Sequence, residues 1–220
     1  MGMIMKKHNK IIGFAKFTFR CLSLVKSIGY LKETGWVKSK IETRIVDSNG
    51  SPIPWYTYPC VAFIDERLHS GMTVFEYGSG YSTLYYSSKV NKVVSVESDL
   101  TWFEMMKDAI AEKGILNAEV HYIDLKSLSG EHYVKAIKSF GEEFDIVVVD
   151  GDFRNECLIM AFERLSKGGV IILDNSSNAG YEEGKDFMKN MGFRHIDFWG
   201  LAPIDYRHFV RPFITGTRMC

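Results

Sequence analysis

Glu76, Gly78 and Gly80 fall within the stretch Met72-Thr-Val-Phe-Glu-Tyr-Gly-Ser-Gly-Tyr-Ser-Thr83, where an apolar β-type run ends in an acid and breaks into two glycines. Ser82 and Thr83 then open a predicted helix. A strand that breaks into a glycine turn brings bare backbone N–H groups close to a ligand, and a helix N-terminus adds positive potential. Glu76 is expected to face the same crevice. A carboxylate there suits a cationic or amine-bearing ligand better than a pyrophosphate.

Further acids close the later strand-like runs. Glu97 ends Lys92-Val-Val-Ser-Val-Glu97, Asp124 ends Glu119-Val-His-Tyr-Ile-Asp124, Asp150 ends Phe144-Asp-Ile-Val-Val-Val-Asp150, and Asp174 ends Gly169-Val-Ile-Ile-Leu-Asp174. Singly, each acid is explained as a cap of the following helix or turn. Together with Glu76 they make five carboxylates on one rim, which repel one another without a partner. A cationic ligand, a metal ion or both would supply that partner.

The elements that must position these residues are read from periodicity. From Met72 onward strands alternate with helices: predicted helices cover Ser82–Ser88, Leu100–Lys113, Tyr133–Phe140, Cys157–Leu165 and Glu182–Met191. The run from Phe144 is nearly continuous apolar, as in a parallel strand covered on both faces. Two late strands are expected near His195–Trp199 and His208–Ile214. This pattern predicts an α/β fold with a doubly wound, seven-stranded, mainly parallel sheet. The carboxyl ends of its strands form the ligand crevice. A basic amphipathic N-terminal extension, residues 1–53, precedes a ligand-binding domain over residues 54–220. Within the second part, Pro54-Trp-Tyr-Thr-Tyr-Pro59 reads either as an aromatic cover over the rim or as edge packing.

At this point the chain resembles the class I S-adenosylmethionine-dependent methyltransferases over about residues 54–215. The match is carried by Glu76-Tyr-Gly-Ser-Gly80, by Glu97, by the Phe144-to-Asp150 strand and by Lys167-Gly-Gly-Val-Ile-Ile-Leu-Asp174, in family order. The resemblance implies S-adenosylmethionine as cofactor, with a Rossmann-like fold. It places Gly78, Ser79 and Gly80 under the methionyl part, Glu97 on the ribose hydroxyls and Asp124 near the adenine amino group. Ser82 stands where many members have a third glycine, and its hydroxyl is suited to the cofactor carboxylate. Glu76 and Asp150 complete the expected cofactor set. The competing reading is NAD(P), since Glu97 also lies at a tolerable spacing for a ribose-binding acid. GxGxxG would require glycine at position 83, which is Thr83.

A second resemblance, to the metal-dependent O-methyltransferases of the catechol and caffeoyl-CoA types, rests on Asp150 and the pair Asp174-Asn175. It implies a hard oxygen set for Mg²⁺ or another divalent cation, which would lower the pKa of a bound hydroxyl. The alternatives are Asp150 as a metal-free base and Asp174-Asn175-Ser176-Ser177 as a polar turn. The catechol-type enzymes carry lysine three residues after the first metal Asp; here Phe153 occupies that place and Arg154 follows. The expected catalytic residues are Asp150, Asp174 and Arg154, with Arg154 orienting a carboxylate or pairing with Asp150.

Charge and composition set bounds. Residues 1–44 hold ten Lys/Arg against two acids, a net +8, and the remainder is −8, which argues against a nucleic-acid enzyme. Four scattered cysteines without CxxC spacing suggest reduced thiols of a cytoplasmic protein. Lys16 and Arg20 interrupt the apolar N-terminal stretch, excluding a span. Residues 11–27 form an amphipathic stripe that packs on its own domain or a second subunit, or lies peripherally on an anionic membrane. The expected partner is a small-molecule or glycan acceptor, and a homo-oligomer is compatible with the stripe.

Overall fold

A computed structural model describes residues 29–126, 130–141, 143–204 and 213–216. The stripe 11–27, Cys21, positions 208–212 of the expected late strand, and Cys220 lie outside the described residues.

Two short helices, α1 (Gly29–Glu33) and α2 (Trp36–Glu42), lead into a turn closed by a bridge between Val46 and Pro52. Ser39 locks this turn: its hydroxyl donates to the Val46 carbonyl at 2.7 Å and accepts from the Val46 N–H at 3.1 Å. Then follow α3 (Tyr58–Asp65), β1 (Thr73–Tyr77), α4 (Tyr81–Ser87), β2 (Lys92–Glu97), α5 (Leu100–Glu112) and β3 (Ala118–Tyr122). The second half comprises α6 (Gly130–Lys135) with a 3₁₀ turn to Phe140, β4 (Phe144–Val149), α7 (Arg154–Arg164), β5 (Leu165–Leu173), α8 (Glu182–Asn190), β6 (Arg194–Asp197) and β7 (Phe213–Gly216).

The sheet order is β3-β2-β1-β4-β5-β7-β6. The strands β1 to β5 are parallel, and β7 inserts antiparallel between β5 and β6. The chain winds outward through β2 and β3 on one side of β1 and through β4 and β5 on the other. The switch point therefore lies between β1 and β4, where a crevice opens at the strands' carboxyl ends.

Side chains alternate across each strand with period two. Phe75, Tyr77, Val94, Val96, Val147, Val149, Ile171 and Leu173 pack with Tyr133, Leu158 and Met188 on one face. Val74, Val93, Ile146, Val148 and Ile172 pack on the other with Tyr56, Cys60, Ile64, Tyr85 and Tyr86. The second layer also takes in Ile53, so the described part of the N-terminal stretch sits on the same apolar layer as α3 and α4. Cys60 and Cys157 are free, buried thiols.

The same alternation sorts the acids. Counting in twos from Val74, Val93, Ile146 and Ile172 reaches Glu76, Glu97, Asp150 and Asp174, all on the side covered by α3 and α4. The carboxylates converge because they share strand parity as well as strand ends.

Candidate active site

Gly78 takes φ 95°, the left-handed region that favours glycine. A Cβ there would come within 3.2 Å of the Gly151 nitrogen, so the glycine turn after β1 lies directly against the turn after β4. Gly80 borders the Trp102 indole, whose Nε1 donates to the Ser79 carbonyl at 2.5 Å. Trp102 is held in place by α5, which starts at Asp99: the Asp99 carboxylate accepts from the Trp102 N–H at 2.8 Å, a side-chain N-cap.

Glu97 forms the next wall. Its Oε2 accepts from Ser79 N at 3.0 Å and Ser79 Oγ at 2.9 Å, and its Oε1 accepts from Ser98 N at 2.8 Å and Asp99 N at 3.0 Å. The acid ending β2 is thus bound to the glycine turn after β1. Asp124 stands on the neighbouring loop beyond β3, where its carboxylate accepts from Lys126 N at 2.8 Å. Asp152 accepts from Ser98 Oγ at 2.7 Å, tying the β4 loop to the β2 loop.

Glu76, expected to face the crevice, is fully buried at its base. Its Oε2 accepts from Thr83 Oγ1 at 2.6 Å and Ser95 Oγ at 2.7 Å, while its Oε1 meets no hydrogen-bond geometry among the described residues, the Ser82 hydroxyl lying near enough only to favour the charged form. Burial pushes its carboxyl up to about 7, against the opposing hydrogen bonds from Ser82, Thr83 and Ser95. A buried acceptor left open at the base of a crevice is suited to a donor brought by a ligand.

The β4 and β5 ends meet through Arg154. Its guanidinium donates to Asp150 Oδ1 at 3.0 Å, the Asp150 carbonyl at 2.9 Å, the Asp174 carbonyl at 2.7 Å, Asn175 Oδ1 at 3.1 Å and the Gly151 carbonyl at 3.0 Å. Two left-handed residues shape this corner, Phe153 and Asn175, each at φ 51°. The Phe153 turn lets α7 begin with Arg154 folded back onto the strand it has just left. Loss of solvation raises the Asp150 carboxyl while Arg154 pulls it down. Asp174 is raised well above the usual carboxylate range by burial and then by Asp150. Its Oδ1 has no hydrogen-bond partner among the described residues.

This geometry corrects the expected metal set. Asp150, Asp174 and Asn175 do converge, but Arg154 already holds one carboxylate oxygen of Asp150 and the amide oxygen of Asn175. A divalent ion drawing on Asp150 Oδ1 or the Asn175 amide oxygen would have to displace a guanidinium, and with Arg154 in place only the Asp174 carboxylate and the second Asp150 oxygen are left to it, too few for a metal set. Among the described residues no group of three or more His, Cys, Asp or Glu is arranged to hold one.

The aromatic run expected as a cover or as edge packing divides between the two at Trp55 and Tyr56. Trp55 is half exposed, whereas Tyr56 is fully buried beside Tyr86, Glu76, Asp150 and Asp174, which all raise its hydroxyl after burial itself. The Tyr56 and Tyr86 hydroxyls face one another, and neither meets hydrogen-bond geometry with any described group. Their segment is clasped by the 198–201 loop, with Tyr58 N donating to the Leu201 carbonyl at 2.8 Å and Thr57 Oγ1 to the Phe198 carbonyl at 3.5 Å.

No helix among the described residues is long and apolar enough to cross a membrane. No protein-family model matches the chain, and no curated protein sequence does so. Solved structures do. Precorrin 8w decarboxylase from Methanobacterium thermoautotrophicum superposes with a TM-score of 0.59 at 18% identity, covering 80% of this chain and 98% of that one. A SAM-dependent O-methyltransferase from Thermotoga maritima gives 0.52 at 15% identity, covering 84% and 71%. A methyltransferase from Streptococcus mutans, solved in complex with SAH, gives 0.50 at 14% identity, covering 70% and 94%. The fold of this chain, with its switch point between β1 and β4, is the Rossmann-like α/β fold of these solved structures, a SAM-dependent O-methyltransferase among them.

Proposed function

We propose that the chain is an S-adenosylmethionine-dependent methyltransferase acting on a hydroxyl oxygen of a small molecule or glycan. The observation that carries this reading is the open, fully buried Glu76 Oε1 beneath the Gly78–Gly80 turn, with Glu97 fixed beside it. A cationic amine above Glu76 would complete its open oxygen, and a ribose hydroxyl would take the place of the Ser79 hydroxyl on Glu97. The residues fit the cofactor for that reason. Gly78 and Gly80 give its methionyl part close backbone approach, Glu97 would bind the ribose, and Trp102 and Asp124 would border the adenine side.

When bound, S-adenosylmethionine supplies an electrophilic methyl group. The protein's part is to align an acceptor and to manage its proton. Asp150, with 41% of its side chain exposed, is the carboxylate open to an acceptor hydroxyl. Held in place by Arg154 and facing the acceptor, it is suited to take that proton as the oxygen attacks. Asp174 stands behind it, its carboxyl pushed toward the neutral form by burial and by Asp150, which lessens the repulsion between the two. Alignment alone can contribute about 7–11 kcal/mol in favourable cases. The half-exposed Trp55 offers a ring face on which a sugar or aromatic acceptor can stack.

The test is a thermal-shift comparison of S-adenosylhomocysteine with NAD(H) and NADP(H), followed by a labelled-methyl screen of hydroxyl, amine and thiol acceptors. Stabilisation by S-adenosylhomocysteine alone and label on oxygen are expected. Stabilisation by a dinucleotide would sink the cofactor reading, and label only on amines or thiols would sink the acceptor reading.

A further inference from the structure

A guanidinium has five N–H donors and no acceptor. In Arg154 all five are engaged: Nε with the Gly151 carbonyl, Nη1 with the Asp174 carbonyl and Asn175 Oδ1, Nη2 with the Asp150 carbonyl and Asp150 Oδ1. The side chain is only 12% exposed, and its guanidinium lies 5.2 Å from the Tyr181 ring centroid. This is the geometry of a built-in bridge between two strand ends. A surface arginine reaching for a distant substrate would keep donors free.

The acceptors it takes are oxygens: one carboxylate, one side-chain amide and three backbone carbonyls. Mg²⁺ and Ca²⁺ select oxygens of this kind. We infer that Arg154 is a tethered cation occupying the place that a divalent ion would take between Asp150, Asp174 and Asn175, so that the rim is held and its charge balanced without metal. Resting on the methyltransferase reading for its catalytic meaning, this makes Arg154 a positioning residue that acts through Asp150. With its donors engaged, Arg154 has none left for an acceptor oxygen. Proton removal then falls to Asp150, and no Lewis acid contacts the acceptor.

The arrangement also has an order. Helix α7 begins at Arg154 itself, directly after the Phe153 turn, so the cation is delivered by the same local structure that ends β4. Lysine could not replace it fully: an ammonium has three donors and lacks the planar fork that reaches both strand ends at once.

Binding of Mn²⁺ followed by electron paramagnetic resonance decides the matter without any acceptor. Wild-type protein is expected to leave the free Mn²⁺ signal unchanged. Arg154→Met should gain Mn²⁺ affinity by at least about tenfold, as expected when a unit charge beside the ion is removed, and Asp150→Asn added to it should abolish the gain. Arg154→Lys, which keeps the charge, should stay silent. Capture of Mn²⁺ by the wild type that is lost in Asp174→Asn would overturn the inference. So would an Arg154→Met protein that still binds S-adenosylhomocysteine yet gains no Mn²⁺ affinity. If Arg154→Met does not fold, wild type and Arg154→Lys decide: silence in both supports the inference, and capture by either overturns it. Failure of wild type to bind S-adenosylhomocysteine is a separate result that counts against the methyltransferase reading alone.

Discussion

Glu76 and Ser95 are register partners on the adjacent parallel strands β1 and β2, and the Ser95 hydroxyl donates to Glu76 Oε2 at 2.7 Å. Thr83 adds a second donor from α4 to the same oxygen. One carboxylate oxygen is therefore satisfied from within the protein, and the other is left to whatever enters the crevice.

That half-satisfied state makes stability depend on pH. Glu76 has its carboxyl raised from 4.5 to about 7 in the fold. The folded state therefore binds the proton more tightly than the unfolded chain does. Its stabilising effect is complete below about pH 4.5, declines as pH rises, and is lost above about 7. A shift of this size corresponds to about 3 kcal/mol. Glu76→Gln, which mimics the protonated group, should leave denaturant stability unchanged at the acid end and raise it by up to about 3 kcal/mol above pH 7. The same variant should lose S-adenosylhomocysteine affinity, and wild-type affinity should increase as pH passes upward through 7. Equal stability of wild type and variant at high pH would show that Glu76 is compensated in the empty protein.

Tyr56 carries a related prediction. Its buried hydroxyl faces that of Tyr86 and meets no hydrogen-bond geometry among the described residues, and an unsatisfied buried polar group costs about 1–3 kcal/mol. Tyr56→Phe should therefore keep or slightly raise the melting temperature of the empty protein. Affinity for S-adenosylhomocysteine should fall by about tenfold, the loss of one hydrogen bond to a charged group. A lowered melting temperature with unchanged affinity would assign the hydroxyl to structure instead. Calorimetry on the one preparation reads both quantities.

Glu97 and Ser79 define a competition. A carboxylate offers about four lone-pair positions, and Ser79 N, Ser79 Oγ, Ser98 N and Asp99 N fill those of Glu97. A ribose hydroxyl must take the place of the Ser79 hydroxyl. Ser79→Ala is thus expected to bind S-adenosylhomocysteine as tightly as wild type or a few-fold more tightly, whereas Glu97→Ala should weaken it by about a hundredfold, the loss of charge-assisted hydrogen bonds. Titration calorimetry separates the cases. Weakened binding in Ser79→Ala would mean that its hydroxyl contacts the ligand directly.

These three sites differ in how far the sequence revealed them. The acids were legible because period-two alternation and strand ends are local properties: Val74 to Glu76, Val93 to Glu97 and Ile172 to Asp174 keep one parity throughout. The same local logic placed the Gly78 turn. It could not show that Tyr56 is buried beneath the rim while Trp55 stays exposed, because that depends on the 198–201 loop clasping the segment from far along the chain. Nor could it show the five bonds of Arg154, which join β4 to β5 through a left-handed Phe153. The insertion of β7 antiparallel beside β5 is likewise a matter of tertiary pairing, since alternation gives no strand order.

Gly151 and Tyr133 test how tightly the switch point is built. A Cβ at Gly151 would collide with the Tyr133 hydroxyl and approach Gly78 N to 3.1 Å. The Tyr133 ring is fully buried and packed against the Tyr77 and Phe153 rings, and its hydroxyl meets no hydrogen-bond geometry among the described residues, so it has no easy retreat. Gly151→Ala should destabilise the protein by about 1–3 kcal/mol, the usual range for overpacking. Tyr133→Phe removes the colliding atom and should cost little alone, since the hydroxyl has no bond to lose. In the double variant the two effects should couple, returning about 1 kcal/mol of the loss, within the range seen for residues in contact. Urea denaturation of the four proteins measures the cycle. If the penalties simply add, the alanine methyl is being resisted by the Gly78 turn instead, and the double variant should then bind S-adenosylhomocysteine as poorly as Gly151→Ala does.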